Sequence, residues 1–315
     1  MNMPVMIYGA GFRGGREFIR ISEENIHVKN FIDKNAHEKI QYYGAPVYTV
    51  DEIIQNGNRE LPIIIAIDNA DIRKRIRAEL ETLGLNVYDS FEQYYIGDLD
   101  TDVSTIICGG KDDGYGEYKI APQFFSKENR VAFTFGIGAD CSFEEELLSE
   151  HGFTVFSFDP GIKSMDYLNE IGLNKKYPGR FHFENYAISD MDGIKEFRKA
   201  QDGWTVSESV TPWTSDEKET LTVHRFETLM KMFGQEKIDI LKMDVEGSEF
   251  VAMPDILKSG IKIGQICIEV HARMYVDSVS KSRAFKQMMN EYGYKLMAGS
   301  GIRDQLYILD DIQVV

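Results

Sequence analysis

Long apolar runs are missing from this sequence. None approaches the ~20 residues that span a bilayer, so nothing in it marks a membrane span. The opening stretch "MNMPVMIYGAG" reaches a glycine turn too soon for the apolar region of a signal peptide. Cysteine is scarce as well. Cys108, Cys141 and Cys267 show neither C-x-x-C spacing nor an even count, which excludes a disulfide frame or a zinc cluster and reads as reduced thiols in a cytoplasmic chain. Positive charge is in deficit, with 35 Lys and Arg against 51 Asp and Glu and a net charge of −16. Such a field repels nucleic acid and anionic lipid. The expected partner is therefore a small molecule, with no nucleic acid and no membrane, and homo-oligomerisation is left open. No Ser-His-Asp arrangement can be placed, and no H-x-x-x-H ligand pair occurs.

What is present is strand and helix in alternation, twice over. From Pro4 to about Asp98, "PVMIYG" and "PIIIAID" read as buried strands of the parallel-sheet kind, with helices over about 14–22 and 70–83. Thr49 with Glu52 has the spacing of a capping box, and Ser90 with Gln93 repeats it. The pattern predicts a small doubly wound α/β domain over residues 1–98. Its first turn, "GAGFRGG", sets Gly9, Gly11 and Gly14 in G-x-G-x-x-G spacing, and Asp33 ends the second strand. A phosphate on the helix N-terminus and a ribose hydroxyl on Asp33 would give a nucleotide site, and a tight structural turn needs the same glycines. Residues 99–129 read as a linker or a lid, since "CGGKDDGYGEY" holds four glycines in eleven residues.

A second domain is expected over residues 130–315. "VAFTFG" is a strand, Gly136 and Gly138 make its turn, and Ser142 with Glu145 has capping-box spacing for the next helix. "TVFSFD" ends at Asp159, where an acid suits the two hydroxyls of a ribose or, with Pro160 next, the N-cap of a helix. Further strands read at 180–189, 238–244, 265–271, 294–299 and 305–310, with helices near 165–173, 226–233 and 280–292 and a short one after Ser248 that Pro254 interrupts. The last two strands are too close in sequence to pair in parallel. A mostly parallel sheet with an antiparallel terminal hairpin is the class I methyltransferase arrangement, Rossmann-like in its parallel part.

The segments "AFTFGIGADCSFEEEL", "VFSFDP", "YAISD", "IDILKMDVEGSEF" and "ICIEVH", in this order, resemble those of the FkbM-type S-adenosylmethionine-dependent methyltransferases. The first domain looks like the small nucleotide-binding module that accompanies some such enzymes and some sugar acetyltransferases. The resemblance implies S-adenosylmethionine as cofactor. Gly136 and Gly138 would face its methionine part, Asp159 its ribose, Ala187 its adenine, and Asp244 the transferred methyl. Two positions depart from the pattern. Thr134 stands where the family has an acid, and Asp140 stands at the third glycine position, where it would substitute as a holder of the amino group.

Acidic residues crowd the end of "IDILKMDVEGSEF". Side chains alternate along a strand, so Asp244 and Glu246 share a face, and Glu269 and His271 do so on the next strand. All four converge beyond the carboxyl ends of the strands, where ligands of open α/β sheets bind. Asp244 or His271 is the expected proton acceptor for a sugar hydroxyl, with Glu246 and Glu269 binding other hydroxyls. The four also offer hard ligands for a divalent cation such as Mg²⁺, and Ser248 and Glu249 would cap the next helix. The stretch 199–221, with Trp204 and Trp213, reads as a substrate flap or a surface insertion. The function expected is O-methyl transfer to a sugar, nucleotide-sugar or similar small molecule. The alternatives are a nucleotide-sugar-binding or regulatory protein with a degenerate transfer domain, and an NAD-dependent oxidoreductase.

Overall fold

The computed structural model describes residues 3–24, 26–38, 40–91, 94, 103–110, 116–200, 206–207, 214–275, 278–298 and 304–310. Gln93, residues 95–102 of the acidic stretch, residues 111–115 of the glycine-rich loop, Trp204, Trp213 and Gly299 lie outside them. The chain divides into two compact units, Met1–Asp100 and Thr101–Val315. Among the described residues no helix is long and apolar enough to cross a membrane.

In the first unit, β1 (Val5–Tyr8), β2 (Val28–Ile32), β4 (Ala45–Tyr48), β5 (Ile63–Ile65) and β6 (Val87–Tyr88) run parallel, and β3 (Gln41–Tyr42) pairs antiparallel with β4 at one edge. The order β3-β4-β2-β1-β5-β6 reverses direction at β1. All three residues of β5 are buried, as the continuous apolar run requires of a strand covered on both faces. Thr49 and Glu52 form the expected capping box at the helix Val50–Gln55.

The second unit is built on β9 (Val131–Phe135), β10 (Thr154–Phe158), β11 (Phe181–Glu184), β16 (Lys237–Met243), β17 (Lys262–Glu269), β18 (Tyr294–Ala298) and β19 (Asp304–Leu309). They lie in the order β11-β10-β9-β16-β17-β19-β18, parallel as far as β17, with β19 antiparallel to both β17 and β18. This is the class I methyltransferase fold. One face of the sheet packs Phe133, Phe135, Phe158 and Phe226 into a single cluster with Met253 and Ile256 of the helix Glu249–Lys258. Full burial of each such side chain stabilises by about 1.5–3 kcal/mol.

Several local expectations are corrected. Residues 180–189 are not one strand: β11 ends at Glu184, and Ala187–Ile188 forms β12 of a separate four-stranded sheet. That sheet also contains β13 (Gly193–Ala200), β14 (Val206–Ser207) and β15 (Thr214–His224), so the end of the presumed flap is a strand. β15 escapes a sequence reading because only Leu221 and Val223 turn inward, and the rest of it is polar. Pro254 does not interrupt its helix, which runs unbroken from Glu249 to Lys258. Burial of Met253, Ile256 and Leu257 outweighs the ~3 kcal/mol that an internal proline costs. Ser142 and Glu145 form no capping box. Asp140 accepts the Ser142 amide at 2.7 Å, Ser142 Oγ accepts from Gly110 N at 2.8 Å, and Glu145 pairs with Lys176.

Within residues 99–129, β7 (Ile106–Cys108) and β8 (Tyr118–Ile120) pair antiparallel. Cys108, Tyr118 and Ile120 are buried in the second unit's core, and Gln265 of β17 exchanges two hydrogen bonds with the Ala121 backbone, at 2.8 and 3.0 Å. These residues are packed structure, which corrects the reading of the whole segment as a linker.

Candidate functional site

The site lies where parallel strands end. At the tips of β9, β10 and β16 the ladder continues by one residue: Gly136 N donates to Phe158 O, Asp159 N to Glu184 O, and Asp244 N to Phe135 O. Gly136, Asp159 and Asp244 are thereby held on one edge. Gly136 has φ +82°, and a Cβ there would lie 1.8 Å from Asp244 O, so only glycine lets the two tips approach. Gly138 has φ +58° and open space where a Cβ would be. Asp159, only 8% exposed, accepts from Ile137 N at 2.8 Å and Gly138 N at 3.0 Å through Oδ2, and from Gly161 N at 2.7 Å through Oδ1. It therefore braces the glycine turn. The N-cap of the next helix is Gly161 and not Asp159.

The acidic cluster stands beside this turn. His271 is fully buried at the end of β17, and its Nε2 lies 3.3 Å from Glu246 Oε2, 3.6 Å from Asp244 Oδ1 and 3.7 Å from Glu269 Oε1. Glu249, also fully buried, accepts from Gly247 N at 2.8 Å and from His271 N at 2.6 Å, and its Oε1 lies 3.4 Å from His271 Nδ1. The helix-capping expectation for Ser248 and Glu249 is thus corrected: Ser248 occupies the N-cap without a side-chain cap bond, and Glu249 fastens the preceding loop to His271. Glu246 sits in the left-handed region at φ +50°. That conformation is uncommon outside glycine, and strain of this kind gathers at functional sites. Burial alone would push the His271 ring towards its neutral form, but Glu249, Asp244 and Glu246 outweigh it and raise its pKa to about 9.

Three residues at the site were not singled out from the sequence. The Tyr118 hydroxyl donates to Asp244 Oδ2 at 3.3 Å; burial first, then the Asp244 charge, hold this phenol well above its usual range, so it stays a donor. Lys242, 5% exposed, donates to Gly136 O beneath the turn and lies 5.3 Å from the Tyr118 ring centroid. Glu144, 1% exposed, has its carboxyl raised by burial, with the Lys242 charge opposing. A lysine inside the apolar run "IDILKMD" was the available signal for Lys242. Nothing local distinguishes Glu144 from its two acidic neighbours, and Tyr118 reaches Asp244 from 126 positions away.

The remaining expected residues are placed as follows. Thr134 is buried, with its hydroxyl 2.7 Å from Ser157 Oγ. Asp140 turns to the start of the following helix. Ala187 packs with Phe197, Leu221 and Val223 in the core of the small sheet. In the first unit, Gly9 has φ +113°, and a Cβ on Gly14 would lie 1.9 Å from Gly9 O, so both glycines serve the turn's own packing. Gly11 faces open space, and Asp33 accepts from Ala10 N and Asn35 N, both at 2.9 Å. Each unit thus braces its glycine turn with the acid that follows its second strand.

The family described as "Methyltransferase FkbM domain" matches residues 134–296. "Probable methyltransferase-like protein 24" of Homo sapiens is 23% identical over 156 residues, covering 49% of this chain and 36% of that protein. The protein of the same description in Rattus norvegicus is 24% identical over 162 residues, covering 51% and 37%. The match thus spans little more than a third of the length of these curated relatives. A crystal structure of methyltransferase FkbM from Methylobacillus flagellatus KT aligns with a TM-score of 0.39 at 13% identity, over 97% of this chain and 90% of that one.

Proposed function

The chain belongs to the methyltransferase FkbM family, whose domain covers residues 134–296, and from that premise we propose that it is an S-adenosylmethionine-dependent O-methyltransferase acting on a hydroxyl of a sugar, nucleotide-sugar or similar small molecule. The observation that carries the proposal is the convergence of an open glycine turn, a second-strand acid and Asp244 on one strand edge.

The donor set fits the cofactor. Open space at Gly138 suits its methionine part, and Asp159, whose Oδ1 keeps one acceptor site beyond the three amide bonds, suits a ribose hydroxyl. When bound, the cofactor supplies an electrophilic methyl group on a sulfonium sulfur. As that methyl group is transferred, the acceptor's hydroxyl proton would pass to a carboxylate of this chain. Asp244 is the group assigned to that proton, because Tyr118 holds its Oδ2 while its carboxylate keeps 28% exposure. His271 is buried and held cationic by its neighbours, so it is not the base at neutral pH. Glu246 and Glu269 flank the acceptor's place and are assigned its other hydroxyls. A base placed in this way contributes ~10²–10⁴-fold.

A second reading, a nucleotide-sugar-binding protein with a degenerate transfer domain, is favoured by Thr134, which bonds Ser157 where the family has an acid. Calorimetric titration with S-adenosylhomocysteine separates the two. Transfer expects one binding event per chain, strongly weakened in Asp159→Ala and little changed in Asp244→Asn, whose turnover falls. Absence of binding, or unchanged affinity in Asp159→Ala, would favour the second reading.

A further inference from the structure

Around His271 three carboxylates meet one buried imidazole. Nε2 is buried and makes no hydrogen bond, yet oxygens of Glu246, Asp244 and Glu269 stand 3.3, 3.6 and 3.7 Å from it. Asp244 Oδ1 is likewise buried without a hydrogen bond. On the far side of the ring, Glu249 takes the His271 amide and lies 3.4 Å from Nδ1, so Nδ1 is the ring position turned to a carboxylate and Nε2 the one turned into the cluster. A metal-bound imidazole is held in this way, its second nitrogen oriented by a buried carboxylate.

We propose that Asp244, Glu246, Glu269 and His271 form a divalent-cation site at the acceptor side of the strand edge. The ligand atoms offered by Asp244, Glu246 and His271 all lie within 4.8 Å of one another. Bonds of ~2.1 Å in octahedral geometry place neighbouring ligand atoms ~3 Å and opposite ones ~4.2 Å apart. Side-chain shifts of up to about 0.6 Å bring these three to such separations, and Glu269, outside that grouping but 3.7 Å from His271 Nε2, would turn in as a fourth ligand. Three carboxylates and one imidazole, whose Nε2 proton the cation would displace, suit Mn²⁺ or a similar ion better than Ca²⁺, which prefers oxygen alone. Asp244 would then hold the cation through Oδ1 and keep Oδ2, beside Tyr118, for the proton. That last step rests on the methyl-transfer reading; the site itself does not.

The test uses the full chain freed of metal by chelation and titrated with MnCl₂ alone, with unbound Mn²⁺ read by electron paramagnetic resonance. One Mn²⁺ per chain is expected. Glu246→Gln and Asp244→Asn should each weaken it at least tenfold, with circular dichroism confirming that both stay folded. His271→Gln should do the same, and the two carboxylate variants keep the test decisive if this one fails to fold. Glu146→Gln, in the other grouping of potential ligands with Cys108 and His151, should leave binding unchanged. No stoichiometric binding, or binding that Glu246→Gln and Asp244→Asn leave intact, overturns the proposal. S-adenosylhomocysteine titrated in parallel separates the claims: Mn²⁺ binding without it overturns only the transfer reading, and the converse overturns only the cation site.

Discussion

Removal of the Glu249 side chain should be among the most damaging single changes in the second unit. Its carboxylate is fully buried and accepts two backbone amides, Gly247 N at 2.8 Å and His271 N at 2.6 Å. Hydrogen bonds to a charged acceptor are worth about 1.5–3 kcal/mol each, and an amide left buried without a partner incurs a desolvation cost. Glu249→Ala therefore loses about 3–6 kcal/mol, a large part of the 5–15 kcal/mol that holds a typical domain. Glu249→Gln keeps the shape and one acceptor oxygen, so it should lose about half as much. Urea unfolding followed by far-ultraviolet circular dichroism measures both. Only the transition of the second unit should move, at unchanged m. A loss below about 1 kcal/mol in the alanine variant, or a glutamine variant as damaged as the alanine one, would show that the carboxylate does not brace the loop.

Gly136→Ala should destabilise by several kcal/mol and abolish S-adenosylhomocysteine binding, since its Cβ would lie 1.8 Å from Asp244 O at φ +82°; a variant of native stability would refute the strand-tip geometry. Cys141 is buried and its thiol is pushed up to about 12, by burial first and then by Glu144, while burial raises Cys267 as well. Because only the thiolate reacts, alkylation of Cys141 in the folded protein at pH 8 should run about a thousandfold slower than for an ordinary thiol. It should quicken only as pH climbs towards 12 or on unfolding, and peptide mass mapping reads this directly. Asp33→Ala removes acceptors of the Ala10 and Asn35 amides and should cost the first unit about 1–3 kcal/mol in urea unfolding; no change would mean that the brace is idle.

Much of this architecture was legible wherever local chemistry and final environment agree. Continuous apolar runs became the central strands, Thr49 with Glu52 capped its helix, and the acids expected at strand ends stand there. Legibility failed where a residue's partner is distant or its role is shared. Ser142 has the spacing of a cap, but the Gly110 amide, 32 positions earlier, takes its hydroxyl. Glu249 looks like a first-turn helix acid, and only the fold shows that it meets the His271 amide. β15 reads as a polar insertion because a sheet with one wet face needs few apolar residues.

The antiparallel strand β19 lies between β17 and β18, both of which precede it in the chain. During synthesis the polypeptide must therefore reserve a gap. Until residues 304–309 have left the ribosome, β17 presents an unpaired edge, and that edge belongs to the strand that ends at Glu269, two residues before His271. β18 cannot close it early without taking a register that the finished molecule does not use. The last-made strand completes the sheet from within, so a stalled or shortened chain should expose an adhesive surface right beside the acidic cluster.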